Sequence, residues 1–177
     1  LKLAVKLFPD FLKLTVLDEY KYNVYGLLAM LVDSGYIESS MYESIHNKLI
    51  IEAKNEQKKN VNKQESSSVS YVNYNNNGFY TNTRTEEFCI LLTPFVTSDP
   101  KAKSYLDKLM LLPTSELKLN LMLIYLRNGI PIPNGLIDTF AKSDLYRLPL
   151  YNGLESIKKL DLFPVSKLTQ ELMARSI

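Results

Sequence analysis

Two apolar segments that each end in glycine constrain this chain more than any other feature. The first reads LLAMLVDSG and closes on Gly35, and the second reads LMLIYLRNG and closes on Gly129. In both, apolar side chains recur at the three- and four-residue spacing that gives a helix one buried face. A glycine placed after the last turn can adopt the positive φ that ends a helix. The pattern therefore predicts two long helices, each followed by a connection and a second helix.

The helix after Gly35 has a start signal of its own. Ser40 is followed three residues later by Glu43, which is the spacing of a capping box. We therefore expect the helix to begin at Ser40. Its predicted buried face consists of Met41, Ile45, Leu49 and Ala53.

Start and stop signals in the second half of the chain also predict helices. Asp99 is a good N-cap, and Pro100 suits the first helical position because that position needs no N–H. Another helix should begin at Thr114 or Ser115 and end at Gly129. The segment 144–160 contains a proline and a glycine, so we expect two pieces or one kinked helix there. In total we expect about eight helices.

Three apolar segments end in proline, and helical sequence follows each of them. They read KLFP at 6–9, LLTP at 91–94 and DLFP at 161–164. Because the residue before a proline avoids the α region, each proline is predicted to end the helix that precedes it. Together with the two glycine stops, these markers predict an internal structural repeat with an irregular period.

At these residues the chain resembles the α-helical repeat proteins of the HEAT and armadillo type. The resemblance covers residues 7–54 and 86–177 and implies helix pairs stacked into a superhelix. HEAT units usually carry an Asp and a Val-Arg pair in the second helix, and Arg147 in LYRLPLY is the nearest counterpart here. The predicted fold is mainly α: a single helical-repeat domain over residues 1–177, made of irregular stacked helix pairs.

Residues 55–84 form a polar insertion within this predicted domain. The segment is rich in Asn, Ser and Lys, and the sequences VSYVNY and FYTNT lie on either side of NNNG. An Asn-Gly pair between two runs of β-forming residues predicts a hairpin. An isolated hairpin is marginal in water and would need to lie against the helices. Both an ordered hairpin at 68–84 and a flexible loop are compatible with the sequence.

Four aromatic residues of the insertion are the candidate partner-binding residues: Tyr71, Tyr74, Phe79 and Tyr80. The simplest interpretation is that they pack the hairpin against the helices. Tyr beside Asn and Ser also suits protein recognition. Basic residues lie nearby, namely Lys58, Lys59, Lys63 and Arg84. Stacking of single-stranded nucleic acid is therefore a third, less favoured interpretation, because the rest of the chain has no basic excess.

The residues that usually carry chemistry are few and scattered. His46 is the only histidine, and no other metal-binding residue types surround it at ligand spacing. Cys89 lies in the apolar run FCILL, which favours a small buried role over nucleophilic catalysis. Glu86 and Glu87 are adjacent and would point about 100° apart on a helix, so charge at a helix start explains them better. We predict no catalytic, cofactor-binding or metal-binding residues.

Composition narrows the classes of partner. Of the residues, 46% are hydrophobic and 23% are charged, which is typical of a globular domain. A net charge of +2 is too small to favour nucleic acid or a membrane surface, and no apolar run is long enough to span a bilayer. We predict a non-catalytic protein-binding or scaffolding module, part of a longer chain. The alternative is a helical accessory domain of an enzyme whose active site lies elsewhere.

The first nine residues are nearly all apolar, with two lysines among them. We expect this run to be the tail of a repeat that begins upstream of Leu1. An uncapped stack of helices exposes part of its core. The sequence therefore predicts an apolar patch near Leu3, Leu7 and Phe8, covered by preceding residues or by self-association with another subunit.

Overall fold

The computed structural model of the chain describes residues 2–64, 84–113 and 115–174, which contain nine α-helices and no strand. The mainly helical prediction is therefore confirmed. The predicted hairpin at 68–84 lies outside the described residues, apart from Arg84. The chain divides into two compact units, Leu1–Asp107 (unit 1) and Lys108–Ile177 (unit 2), where the sequence predicts a single domain.

Unit 1 is organised around a short apolar helix. Its helices are α1 (Lys2–Leu14), α2 (Lys21–Asp33), α3 (His46–Gln64), α4 (Arg84–Leu92) and α5 (Pro100–Met110), the last of which continues into unit 2. Helix α4 packs against both α2 and α3. Phe88, Cys89 and Leu92 of α4 have no exposed surface, so this helix supplies the centre of the core.

Helix α2 ends as the sequence predicts. Gly35 has a φ of 72°, a left-handed conformation that favours glycine. Its N–H donates to the Val32 carbonyl at 3.0 Å, and the Tyr36 N–H donates to the Leu31 carbonyl at 2.9 Å. These two nested hydrogen bonds form a Schellman motif, which satisfies carbonyls that the helix end leaves without partners.

The capping box predicted at Ser40 and Glu43 is wrong. The structure has two 3₁₀ turns there, Ser39–Met41 and Glu43–Ile45, and the α-helix starts only at His46. Tyr42 lies between the turns, is completely buried and donates its hydroxyl to the Leu91 carbonyl at 3.1 Å. Burial of this large ring against α4 explains why the local cap is not used.

The predicted buried face of this segment is only half correct. Leu49 and Ala53 have no exposed surface, and Ile45 is half-buried. Met41, however, is 41% exposed. Helical spacing fails for Met41 because the segment before His46 is not α-helical.

Only two of the three prolines act as predicted. Helix α4 ends at Leu92, two residues before Pro94, and Phe163 is extended before Pro164. Pro9, in contrast, lies inside α1, which continues to Leu14. A proline removes one helical hydrogen bond, but Phe8 in α1 and Thr15 directly after it are both buried, so the helix is held on either side of Pro9.

The predicted N-terminal patch also changes. Phe8 is 2% exposed and belongs to the core, so its predicted exposure is wrong. Leu7 is 39% exposed, as expected, and the Leu3 side chain lies outside the part that the structure describes. The end of α1 is also tied to α3, because the Lys48 ammonium donates to the Thr15 carbonyl.

Unit 2 is organised around helix α8 (Arg147–Ser156). Its other helices are α6 (Glu116–Arg127), α7 (Leu136–Lys142) and α9 (Gln170–Ala174). Helix α8 packs against both α6 and α7. Leu119 and Met122 of α6, Phe140 of α7 and Leu150 of α8 form much of the core, each with no exposed surface.

Helix α6 ends with the same geometry as α2. Gly129 has a φ of 70°. Its N–H donates to the Leu126 carbonyl at 3.2 Å, and the Ile130 N–H donates to the Tyr125 carbonyl at 2.9 Å. The two glycines that align in sequence therefore build the same Schellman motif.

Two predicted N-caps are confirmed. Asp99 Oδ1 accepts a hydrogen bond from the Lys101 N–H at 2.7 Å, directly before Pro100 begins α5. Ser115 is extended, and its side chain accepts from the Lys118 N–H at 3.3 Å at the start of α6. Each side chain satisfies a backbone donor that a helix start leaves without a partner.

The segment around Pro149 and Gly153 is a single helix, α8, rather than two pieces. Pro149 is the third residue of that helix, where its missing N–H has no helical partner to lose. Gly153 is needed for close packing: a Cβ there would lie 2.4 Å from Leu123 Cδ1. Helix α6 can approach α8 only because this position has no side chain.

The Arg147 side chain connects the end of α7 with α9 in unit 2. Its side chain is 2% exposed. The guanidinium donates to the carbonyls of Ala141 (2.9 Å), Lys142 (3.3 Å) and Leu172 (2.6 Å). It also forms an ion pair of 2.8 Å with Asp144. The planar fork of Arg thus holds the end of α7 to α9, a contact that the sequence does not predict.

Candidate functional site

A polar cluster lies where α2, α3 and α4 come together, and it includes Arg84, the last residue of the predicted insertion. We define the polar cluster as Asp18, Lys21, Tyr22, Glu52, Arg84 and Glu87. Lys21 is its centre: the ammonium lies 2.9 Å from Asp18 Oδ1 and 3.0 Å from Glu52 Oε1. These hydrogen bonds raise the pKa of Lys21 above its ordinary value, and the same contact lowers the pKa of Asp18.

Tyr22 connects this ion pair to α4. Its hydroxyl donates to Glu52 Oε2 at 3.4 Å. The Arg84 guanidinium lies over the ring, with the central carbon 4.0 Å from the ring centroid. A cation over an aromatic face is attracted by the ring quadrupole. The first turn of α4, which directly follows the insertion, is therefore fixed to α2.

Glu87 is a partly buried carboxylate of the cluster. Burial raises its pKa above the ordinary value, nearby Arg84 acts in the opposite direction, and Glu56 adds to the rise. The Glu87 carboxylate lies beside Gly26 of α2, which has no side chain. A Cβ at position 26 would lie 2.9 Å from Glu87 Oε1. Glu87 belongs to the first turn of α4, as the sequence predicts, where a negative charge is favoured.

The charges of the cluster largely offset one another, with one carboxylate in excess. Three carboxylates, those of Asp18, Glu52 and Glu87, meet two cations. Such an arrangement is suited to holding three helices together. The sequence does not predict the cluster, because Lys21, Glu52 and Arg84 lie about 30 residues apart in the chain and no local spacing connects the three helices.

His46 is the first residue of α3 and contacts the segment between α4 and α5. Its ring lies 4.2 Å from the Phe95 ring, centroid to centroid. Nε2 is 3.1 Å from Asp99 Oδ2, which is ion-pair distance without the alignment of a hydrogen bond. Among the described residues, no group of three or more His, Cys, Asp or Glu side chains could hold a metal ion.

Cys89 is completely buried in α4, as its apolar context predicts. Burial raises the pKa of its thiol well above the ordinary value, and nearby Glu86 raises it further. Nucleophilic chemistry requires the thiolate. This thiol is therefore a packing group in the structure shown.

The four aromatic residues that the sequence singles out all lie outside the described residues: Tyr71, Tyr74, Phe79 and Tyr80. Of the basic residues near them, Lys58 is exposed and Arg84 is stacked on Tyr22. The structure thus describes the two helices to which the insertion is joined, α3 up to Gln64 and α4 from Arg84, and these helices pack on one another.

Comparisons with protein families, with curated proteins and with solved structures give no match. The resemblance to HEAT and armadillo repeats therefore stays a prediction. Within the part of the chain that the structure describes, no helix has the length and apolar character needed to cross a bilayer, in agreement with the sequence.

Proposed function

We propose that this chain is a non-catalytic protein-binding or scaffolding module built from stacked helix pairs. The observation that supports it is the arrangement that recurs in the two units. In each, a long helix ends in a Schellman glycine, a second helix follows, and a third helix packs against both. Units of this kind, stacked side by side, present extended surfaces for protein partners and need no cofactor.

The aligned helices α2 and α6 also share part of their buried face. With Gly35 aligned to Gly129, three aligned pairs are buried in both units: Tyr25 with Leu119, Leu28 with Met122, and Leu31 with Tyr125. A common inward face is expected if the two units are divergent copies of one repeat. This agreement favours a repeat over a chance similarity between two Leu-rich helices.

We assign partner binding to the aromatic residues of the insertion, Tyr71, Tyr74, Phe79 and Tyr80. Tyr and Phe are enriched in protein interfaces, since one rigid ring contributes a large contact area at little entropic cost. The framework beside them is well anchored: α3 and α4 pack together, and Arg84 is fixed over Tyr22. A binding segment joined to such a framework can vary without disturbing the core.

The test is a comparison of proteins captured by the natural chain and by a variant with all four aromatic residues changed to Ser. The matched control is Tyr36→Ser, which removes a 53% exposed tyrosine from the α2–α3 connection. We expect a specific set of proteins from the source cells to bind the natural chain and the control but not the fourfold variant.

Two results would contradict the proposal. One is equal capture by all three chains, which would exclude the insertion as the binding segment. The other is retention of single-stranded oligonucleotides rather than proteins, with the steep loss at high salt that phosphate contacts produce.

A further inference from the structure

Exposed apolar side chains are concentrated near the end of α1 and in the connection to α2. Leu7 is 39% exposed, Leu14 38%, Leu17 46% and Tyr20 45%. We define these four residues as the apolar stripe. Contiguous apolar surface of this kind is uncommon on a monomer and often marks an interaction site.

The four side chains follow one line along the chain. Leu7 and Leu14 are seven residues apart, so they lie on the same side of α1. After α1, the Leu17 N–H donates to the Leu14 carbonyl at 3.0 Å and the Tyr20 N–H to the Leu17 carbonyl at 3.1 Å. Such three-residue turns place side chains three apart above one another, so Leu17 and Tyr20 extend the line that starts on the helix.

The two ends of the stripe carry opposite charges. Exposed Lys6 lies beside Leu7 at one end, and exposed Glu19 lies beside Tyr20 at the other. Neither forms an ion pair with a described residue, whereas Asp10 is paired with Lys13 and Asp18 with Lys21. The stripe therefore has one end beside a cation and one end beside an anion, neither of them paired with a described residue.

We infer that the apolar stripe is the contact between two copies of this chain, arranged antiparallel about a two-fold axis. A two-fold axis brings the same surface of both copies together, and the antiparallel direction places Lys6 of each copy near Glu19 of the other. A parallel arrangement would bring like charges together at both ends. A stripe of four side chains is small for a stable interface, so the dimer should be weak and reversible.

This inference is independent of the proposed function, because the stripe and the aromatic insertion share no residue. It also revises the self-association predicted from the sequence. Leu7 remains in the contact, Phe8 is core, and the contact surface extends forward to Tyr20.

Sedimentation velocity of the natural chain over a wide concentration range tests the inference. We expect a reversible rise from the monomer mass towards twice that value. Lys6→Glu and Glu19→Lys should each raise the dissociation constant about tenfold, because each places two pairs of like charges in the homodimer. An equimolar mixture of the two variants should regain dimerisation, since both contacts in the mixed pair are then of opposite charge.

Lys101→Glu and Glu43→Lys are matched controls, because they make the same charge changes at exposed positions of unit 1 away from the stripe. They should leave the dissociation constant unchanged. A natural chain that stays monomeric overturns the inference. So does a dimer that neither variant weakens, or a mixture that does not recover, because either result excludes the antiparallel pairing.

Discussion

In each unit a glycine lets two helices approach closely, but the two glycines face different kinds of side chain. In unit 1, Gly26 of α2 faces the carboxylate of Glu87 in α4. In unit 2, Gly153 of α8 faces the branched end of Leu123 in α6. The same close approach is therefore polar and adjustable in one unit and apolar and tightly packed in the other.

The buried polar groups of the two units differ in a related way. Unit 1 joins α2 to α3 through the side-chain pair of Lys21 and Glu52, in addition to single hydrogen bonds to carbonyls, such as the one that Tyr42 donates. Unit 2 relies on one guanidinium that binds backbone carbonyls. A side-chain pair can rearrange after a substitution, whereas the carbonyls around Arg147 have fixed positions. We therefore expect substitutions of buried polar side chains to destabilise unit 2 more than unit 1.

The largest expected effect is therefore at Arg147. Arg147→Met keeps most of the stem but leaves the carbonyls of Ala141, Lys142 and Leu172 without this donor, so we expect unit 2 to lose about 3 kcal/mol of stability. Arg147→Lys should recover only part, because an ammonium cannot reproduce the planar fork. Hydrogen exchange of unit 2 amides measures the loss.

The control for this prediction is Lys159→Met, which removes a positive charge at an exposed position of unit 2 after α8. It should change stability by no more than about 0.5 kcal/mol. Equal effects of the two methionine substitutions would mean that the carbonyl contacts contribute little.

The paired glycines give the next largest difference. Gly153→Ala places a Cβ 2.4 Å from Leu123 Cδ1 in a buried contact, and overpacking of this kind should cost about 2 kcal/mol. Gly26→Ala places a Cβ 2.9 Å from Glu87 Oε1, the movable end of a long side chain. Its net effect should stay within about 1 kcal/mol, because Ala also favours the helix.

Urea unfolding of both alanine variants provides the measurement, together with the double variant Gly153→Ala and Leu123→Ala. Removing the Leu123 side chain should abolish the cost of the added methyl group, which a double-mutant cycle detects as coupling. Independent effects at the two positions would show that the close approach of α6 and α8 is not what limits position 153.

A smaller effect is expected at the two helix stops, and here the units should agree. Gly35 and Gly129 have φ values of 72° and 70°, and nothing lies within 4 Å of a Cβ at either position. Alanine should therefore cost about 1 kcal/mol at each, from backbone conformation alone. Thermal unfolding of the two single variants tests this equality. A clear difference between the two losses of stability would show that the two helix ends are not equivalent.

The smallest predicted effect concerns pH and Glu87. Its pKa in the folded chain is raised, so the fold binds this proton more tightly than the unfolded chain does. The carboxylate therefore costs stability at neutral pH, and the cost disappears as the pH falls below 4.5, its unperturbed value. Glu87→Gln should raise stability at pH 7 by about 0.5 kcal/mol and have no such effect at acid pH. Denaturant unfolding at both pH values checks the sign.

Local signals in the sequence predicted the features that local structure determines. Gly35 and Gly129 end helices, and Asp99 and Ser115 begin them, because each acts on backbone groups within a few residues. The failures have the opposite cause. The cap at Ser40 gives way to burial of Tyr42, which depends on a contact with Leu91 far along the chain.

The same division applies to the site. That Cys89 is a buried packing residue could be read from its neighbours in sequence. The polar cluster could not, because Lys21, Glu52 and Arg84 meet only once α2, α3 and α4 have packed. In the sequence, Arg147 stands out only as a counterpart of the HEAT signature. Its contacts with carbonyls depend on the fold of unit 2 and could not be predicted.

The central claim is that the packed helices form a framework that folds without the aromatic insertion, and one measurement addresses it directly. Residues 65 to 82, which lie between α3 and α4, are deleted, the ends are joined by a short Gly/Ser linker, and thermal unfolding is followed by circular dichroism. Loop length affects stability only logarithmically, so we predict a helical protein that still unfolds cooperatively. Loss of cooperative unfolding would show that the insertion is part of the core and would contradict its role as a binding segment.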